Sequence, residues 1–425
     1  MDLAIKNGRV YASGKIQNLD IFVRNGRVAA LGGDHRADQE IDAKGLLVLP
    51  GAIDSHVHFR DPGQTHKEDW LSGSTSAIAG GVTTVVDQPN TIPPTWTARS
   101  FRLKLEIARR ASVVDFCLNG GPGEMEELIA LGAAAIGEVF TYQHTGEELG
   151  SFIAKADRLG ALLTIHAEDG TVIERSTAPL LHLQEADSYS RARPPEAETK
   201  AIEDVLTRSR RAHICHISTG EGLALLRSTG PRITCEVTPH HLIFSRRDYR
   251  SLGTFLKTNP PMREAADNEA LWAGLRRGEI DIVASDHAPH LPEEKGDDLW
   301  EAPPGVPGVE TMLPLMLMAV RRNLLALDRM VDCLSRRPAE ILGLKAKGEI
   351  MVGKDADLVL VNTREPREIK ADRLHSKADW TPYEGKRGIF PTMTLIRGIV
   401  VWDDDLCVRP GYGRFLPGTP RPPNV

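Results

Sequence analysis

The chain has 425 residues, 41% hydrophobic and 26% charged, with a formal net charge of −6. That length exceeds the roughly 250–300 residues at which single cores stop growing, so one large domain plus a smaller one is expected. Net negative charge without a basic tail or stripe argues against nucleic acid or an anionic membrane as partner. The first residues, MDLAIKNGRVYASGK, lack the apolar core of a signal peptide, and no apolar run approaches the about 20 residues of a membrane span. Five cysteines without a CxxC pair fit reduced thiols, and a cytoplasmic location follows as the expectation.

Residues 1–50 alternate apolar and polar positions around NG turns (LAIKNGRVYASG, DIFVRNGRVAALGG), a hairpin signature. From residue 46 onward eight short β-branched runs recur, over 46–58, 81–90, 112–121, 133–140, 161–169, 212–218, 232–241 and 280–290. Helical patterns separate them, among them 68–80, 147–160, 196–209 and 268–278. Strand–helix alternation implies parallel pairing, and eight units predict an α/β chain with a TIM-like (β/α)8 barrel over 51–345. After 345 the β texture returns in GEIMVGKDADLVLVN and TMTLIRGIVVWDD, so 1–50 and 346–425 are expected to combine into a small β-sandwich.

Polar residues gather at the C-terminal ends of the runs: His56 and His58, Asn90, Glu138, His166, His216, Glu236 and Asp286. Catalytic groups of such barrels sit at that face. His56 and His58, two apart on a strand, share a face that can be the barrel interior. A lone HxH is a weak sign of metal, but His166, His216 and Asp286 each close another strand. Nitrogen and carboxylate ligands suit Zn²⁺, and four histidines with an aspartate exceed what one catalytic zinc requires, so two ions are expected. Glu138 lies inside the apolar run AAIGEVF, where an unpaired carboxylate is costly. Two cations on either side would compensate it.

DSHVHFRDPG, TIHAED, CHIS, CEVTPHHL, NPPMR, SDHAPH and PGVPGVET resemble the cyclic amidohydrolases, the family of dihydroorotases, allantoinases and hydantoinases, along the whole chain. The resemblance implies a barrel with a two-metal centre and a flanking β-sandwich. It makes His56, His58 and Asp286 ligands of one metal, and His166 and His216 ligands of the other. Among the members the dihydroorotases are most similar. Arg60 of HFRDPG, Asn90 of QPNT and His290 of SDHAPH match residues that hold the substrate carboxylate there, and allantoinases usually lack them. A guanidinium fork suits that task. Asn259 of KTNPPMR and the backbone at Pro304 and Gly305 match contacts to the ring. The family often bridges its metals with a carboxylated lysine where this chain has Glu138, which presents the same two oxygens on a shorter arm.

The expected activity is reversible hydrolysis of dihydroorotate to N-carbamoyl-aspartate by a metal-bound hydroxide. Asp286 serves as the catalytic acid–base group. The alternatives are an allantoin- or hydantoin-type amidase and a non-catalytic partner subunit, and the full histidine set weighs against the latter. The resemblance also implies a homodimer. Cys215 is expected as a small buried residue. Its place beside His216 on a strand should point it away from the interior, whereas a third ion would need it with Glu236 and His166. Trp380 and Tyr383 are expected to pack.

Overall fold

The β-branched runs form strands where both of their faces find apolar cover. In the computed structural model, which describes residues 1–209, 211–228 and 233–419, these are β1 (Ala52–Val57), β2 (Val82–Asp87), β3 (Asp115–Leu118), β4 (Ile136–Phe140), β5 (Leu163–His166), β6 (Ala212–Ile214), β7 (Thr234–Val237) and β8 (Ile282–Val283). Arg232, where the seventh run begins, and positions 420–425 of the C-terminal segment lie outside the described residues. Neighbouring strands are parallel, β1 to β3 in one ladder and β4 to β8 in another. Two bridges close the ring: Gly120 with Ile136 joins β3 to β4, and Val57 with His287 joins β1 to the end of β8. The result is the predicted barrel.

The helices form at Trp70–Ala79, Gly146–Leu159, Pro195–Arg208 and Ala265–Arg277, within three residues of the sequence pattern. The Asp69 side chain accepts from the Ser72 backbone N–H and starts the first of them. Among the described residues no helix is long and apolar enough to cross a membrane.

The two chain ends meet in one shared sheet, and another sheet comes from the N-terminal end. Four strands (Arg27–Leu31, Ile21–Arg24, Leu3–Lys6, Gln39–Asp42) form one sheet. Seven others, including Arg9–Ala12, Leu47–Pro50, Leu358–Val361 and Pro391–Ile396, form the second. Leu47–Pro50 and Leu358–Val361 lie antiparallel side by side. Their alternation divides two cores: Val48, Leu358 and Leu360 pack within the sandwich. Leu47, Leu49, Val359 and Val361 pack against the barrel. That double burial explains why LVLV is apolar without a break.

A buried ion cluster pins the seam. Lys347 Nζ lies 2.6 Å from Asp115 at the start of β3 and 2.6 Å from Asp357, with Asp355 at 3.0 Å, and Arg397 also pairs with Asp115. Burial opposes the Lys347 charge, but Asp357, Asp115 and Asp355 hold it well above the ordinary lysine range. Lys347→Met would leave Asp115 and Asp357 buried without that counter-charge. Removing one partner of such a cluster costs about 3–5 kcal/mol. The expected result is a urea midpoint lowered to match, with sandwich and barrel signals falling together.

Candidate metal centre

Four histidines and two carboxylates converge at the C-terminal mouth of the barrel, each delivered by the end of a different strand except the His56–His58 pair. All six are buried. The ligand atoms of His56, His58 and Glu138 lie within 4.8 Å of one another, as do those of Glu138, His166 and His216. Glu138 stands between them. Its Oε1 is 2.7 Å from His216 Nε2 and 3.2 Å from His166 Nδ1. Its Oε2 faces His56 Nε2 at 3.5 Å and His58 Nε2 at 3.9 Å. Asp286 Oδ1 completes the second group, 3.2 Å from His58 Nε2 and 3.6 Å from His56 Nε2.

The outer nitrogens explain which inner ones are available. His56 Nδ1–H donates to Glu236 Oε1 (2.6 Å), His58 Nδ1–H to Asn90 Oδ1 (2.7 Å) and His166 Nε2–H to Glu168 Oε2 (2.7 Å). Each ring therefore turns a lone pair inward, the usual arrangement around a bound metal. Glu236 is itself held by Ser55 and His213, and Glu168 by Arg193. His56 Nε2 is a buried ring nitrogen without a hydrogen-bond partner, and His166 Nδ1 and His216 Nε2 face each other at 3.2 Å.

Electrostatics point the same way. Burial alone would raise the Glu138 carboxyl, but the surrounding histidines, His56 first among them, hold it well below the usual carboxylate range. Burial opposes charge on His56 as well, yet Glu138 and Glu236 raise its affinity for a proton well above normal. Such a group wants positive charge. The orphaned nitrogen of His56, the close approach of the His166 and His216 ring nitrogens and the nitrogen–carboxylate donor set fit divalent metal binding.

Backbone geometry brings the shorter glutamate within reach. The β4–β5 register shifts between Ile136 and Val139, and Gly137 has φ 134°. A Cβ there would collide with the carbonyl oxygen of Thr164 on β5. Only glycine lets the chain press in this far, and Glu138 is carried inward with it. Three other site residues adopt positive φ without being glycine: Arg60 (61°), His216 (35°) and Asp286 (46°). The turn at His216 is the local distortion by which both Cys215 and His216 face the interior. Cys215 converges with His56 and Glu236, not with His166 as the third-ion arrangement required. Glu236 is already engaged in orienting His56.

Arg60 is buried, and desolvation lowers its guanidinium to about 10. Its Nη2 lies 3.0 Å from His290 Nε2 and its Nε donates to the Pro289 carbonyl, so it is no surface ion pair. Pro304 O is 3.1 Å from His290 Nε2. The Gly305 N–H donates to the Lys257 carbonyl and its own carbonyl accepts from Lys295. Asn259 Oδ1 accepts from the Tyr189 hydroxyl at 2.6 Å. Trp380 Nε1 donates to the His290 carbonyl, while Tyr383 stacks on Phe244. Four contributors carry no sequence signal strong enough to single them out: Glu168, Arg193, Tyr189 and Lys67, whose Nζ lies 3.2 Å from His290 Nδ1. Only Glu168, two residues after His166 in TIHAED, had a hint in its spacing.

The amidohydrolase family profile matches residues 47–400. The chain is 47% identical to a dihydroorotase of Methanosarcina mazei, over 98% of each chain. It is 46% identical to a dihydroorotase of Halobacterium salinarum, over 93% of this chain and 96% of the relative. Its structure superposes on the L-hydantoinase (dihydropyrimidinase) of Arthrobacter aurescens with a TM-score of 0.93 at 31% identity, covering 98% and 99% of the two chains.

Gly137→Ala tests the inward press of β4. The added methyl forces the strand away from Thr164, at about 1–3 kcal/mol of strain. The expected outcome is reduced bound metal by elemental analysis, together with a lower melting temperature. Unchanged metal content would show that the position of Glu138 does not depend on this approach.

Proposed function

The chain belongs to the amidohydrolase family, and from that premise we infer that it carries out the dihydroorotase reaction, the reversible hydrolysis of the cyclic amide of dihydroorotate to N-carbamoyl-aspartate. Pyrimidine biosynthesis uses the ring-closing direction. The observation that carries this reading is the joining of two sites by one residue. Asn90 accepts from the ring of His58 through Oδ1, which leaves its Nδ2 donors for a ligand beside the Arg60–His290 pair. A carboxylate bound there lies next to the ligand cluster.

We propose two Zn²⁺ per chain. His56, His58 and Asp286 would hold one, His166 and His216 the other, and Glu138 would contribute to both. When bound, such ions lower the pKa of water and polarise a carbonyl oxygen. The protein residues do the rest. Arg60, Asn90 and His290 grip the substrate carboxylate and fix the ring so that its amide carbonyl meets the attacking water in line. Burial would raise the Asp286 carboxyl, but His58, His56 and His216 keep it well below the usual range. An ionised Asp286 can take the proton of the attacking water and pass it to the leaving ring nitrogen. Asn259, its oxygen occupied by Tyr189, presents its amide donors to a ring carbonyl. The carbonyls of Pro304 and Gly305 keep a second lone pair for ring N–H groups.

The cysteines are unpaired, four of them buried, which supports a reducing, cytoplasmic setting. The homodimer remains part of the proposal on the resemblance alone.

Two measurements test the reading. Zinc-loaded protein should interconvert dihydroorotate and N-carbamoyl-aspartate, and Arg60→Ala should raise KM roughly 10- to 100-fold. Absence of any KM change would remove the carboxylate pocket from the mechanism. Metal-stripped protein should recover zinc and activity equally with and without bicarbonate, because a glutamate needs no carboxylation. A bicarbonate requirement would exclude Glu138 as the bridge.

A further inference from the structure

We propose that Lys67 is a positioning residue that fixes His290 in the tautomer with its proton on Nε2, making His290 an obligatory donor to the substrate carboxylate. The inference rests on the reading of the Arg60–Asn90–His290 pocket given above.

Lys67 lies between β1 and the helix Trp70–Ala79, and its side chain is only 10% exposed. Its Nζ is 3.2 Å from His290 Nδ1. An ammonium has three donors and no acceptor, so Nδ1 must offer its lone pair. The ring is neutral, since burial and the charges of Arg60, Lys67 and Lys295 push His290 far below its ordinary range. A neutral imidazole that accepts at Nδ1 carries its proton on Nε2. That proton can go to Pro304 O, 3.1 Å away. The other neighbour of Nε2 is Arg60 Nη2 at 3.0 Å, which can only donate. An Arg60 N–H aimed at a protonated Nε2 is an unfavourable donor–donor contact, which an anionic oxygen accepting from both relieves.

Lys67 is itself held in aim. Glu294 Oε1 lies 2.8 Å from its Nζ, while Glu294 Oε2 accepts from the Leu291 backbone N–H at 2.9 Å. The charged groups around His290 are thus Arg60, Lys67, Lys295 and Glu294. Without Lys67 the ring could move its proton to Nδ1. Nε2 would then accept from Arg60, using up one donor and turning a lone pair toward the carboxylate. A neutral ring such as dihydrouracil makes no use of this donor. Lys67 therefore governs selectivity for acidic rings through His290 rather than through contact.

A double-mutant cycle on zinc-loaded protein separates action through His290 from action by charge alone. Lys67→Met should raise KM for dihydroorotate about tenfold, with kcat changed far less. Lys67→Arg, which keeps a donor, should restore most of it. In a His290→Gln background Lys67→Met should add nothing. An equal penalty in both backgrounds overturns the proposal. The ¹⁵N shifts of the His290 ring nitrogens read the tautomer directly in the unmutated protein. Protonated Nε2 supports the proposal and protonated Nδ1 overturns it, whether or not Lys67→Met folds. Failure of the unmutated protein to turn over dihydroorotate would instead fall on the functional reading, leaving the tautomer to the shifts.

Discussion

The arrangement depends on one carboxylate in a dry place. Glu138 cannot stand among apolar residues at the barrel mouth without compensation. Its two oxygens face two different histidine pairs, so one group sets the spacing of both halves of the site. The remaining architecture serves that spacing. Glu236, Asn90 and Glu168 each take the outer proton of one ring and aim its inner lone pair. Arg193 in turn neutralises Glu168, so the charge balance extends a further layer into the protein.

Three of the ten described non-glycine residues with positive φ lie at the site. Arg60, His216 and Asp286 all occupy the left-handed region, and each follows a barrel strand. Residues held there without being glycine cost about 1–3 kcal/mol each and persist only when their surroundings over-determine them. Here the surroundings do so. Arg60 is caught between Pro289 and His290, while His216 and Asp286 are turned back toward the cluster. The sandwich bears on the barrel through the Lys347 cluster and the apolar face of Leu358–Val361, and none of its described residues joins the histidine–carboxylate cluster.

The barrel was legible because its signals are periodic: eight apolar runs, seven of them with a polar residue singled out at the same end. The clustered side chains were legible because HxH, TIHAED, CHIS and SDHAPH place imidazole and carboxylate groups at strand ends. Beyond Asn90 and Glu236, the supporting residues were not. Lys67 and Arg193 are ordinary cations in sequence, and Tyr189 an ordinary aromatic, until the fold sets them against His290, Glu168 and Asn259. Cys215 shows the limit of strand periodicity. Alternation would turn it away from the interior, and a single positive φ at His216 defeats that rule. Glu138 shows the converse case. The chemistry of a stranded carboxylate pointed to the site, but the reach of a glutamate became understandable only from the press of Gly137 against β5.

The shared sheet also orders events during synthesis. Strand Leu47–Pro50 leaves the ribosome early, but its neighbour Leu358–Val361 follows roughly 300 residues later. At about 5–20 residues per second that is a wait of about 15–60 s. Throughout it, one edge of an apolar strand adjoining both cores lacks its partner. Unpaired edges of this kind recruit other chains. The nascent protein is therefore most exposed to aggregation just before Leu358–Val361 emerges, and a chaperone's contribution would fall in that interval.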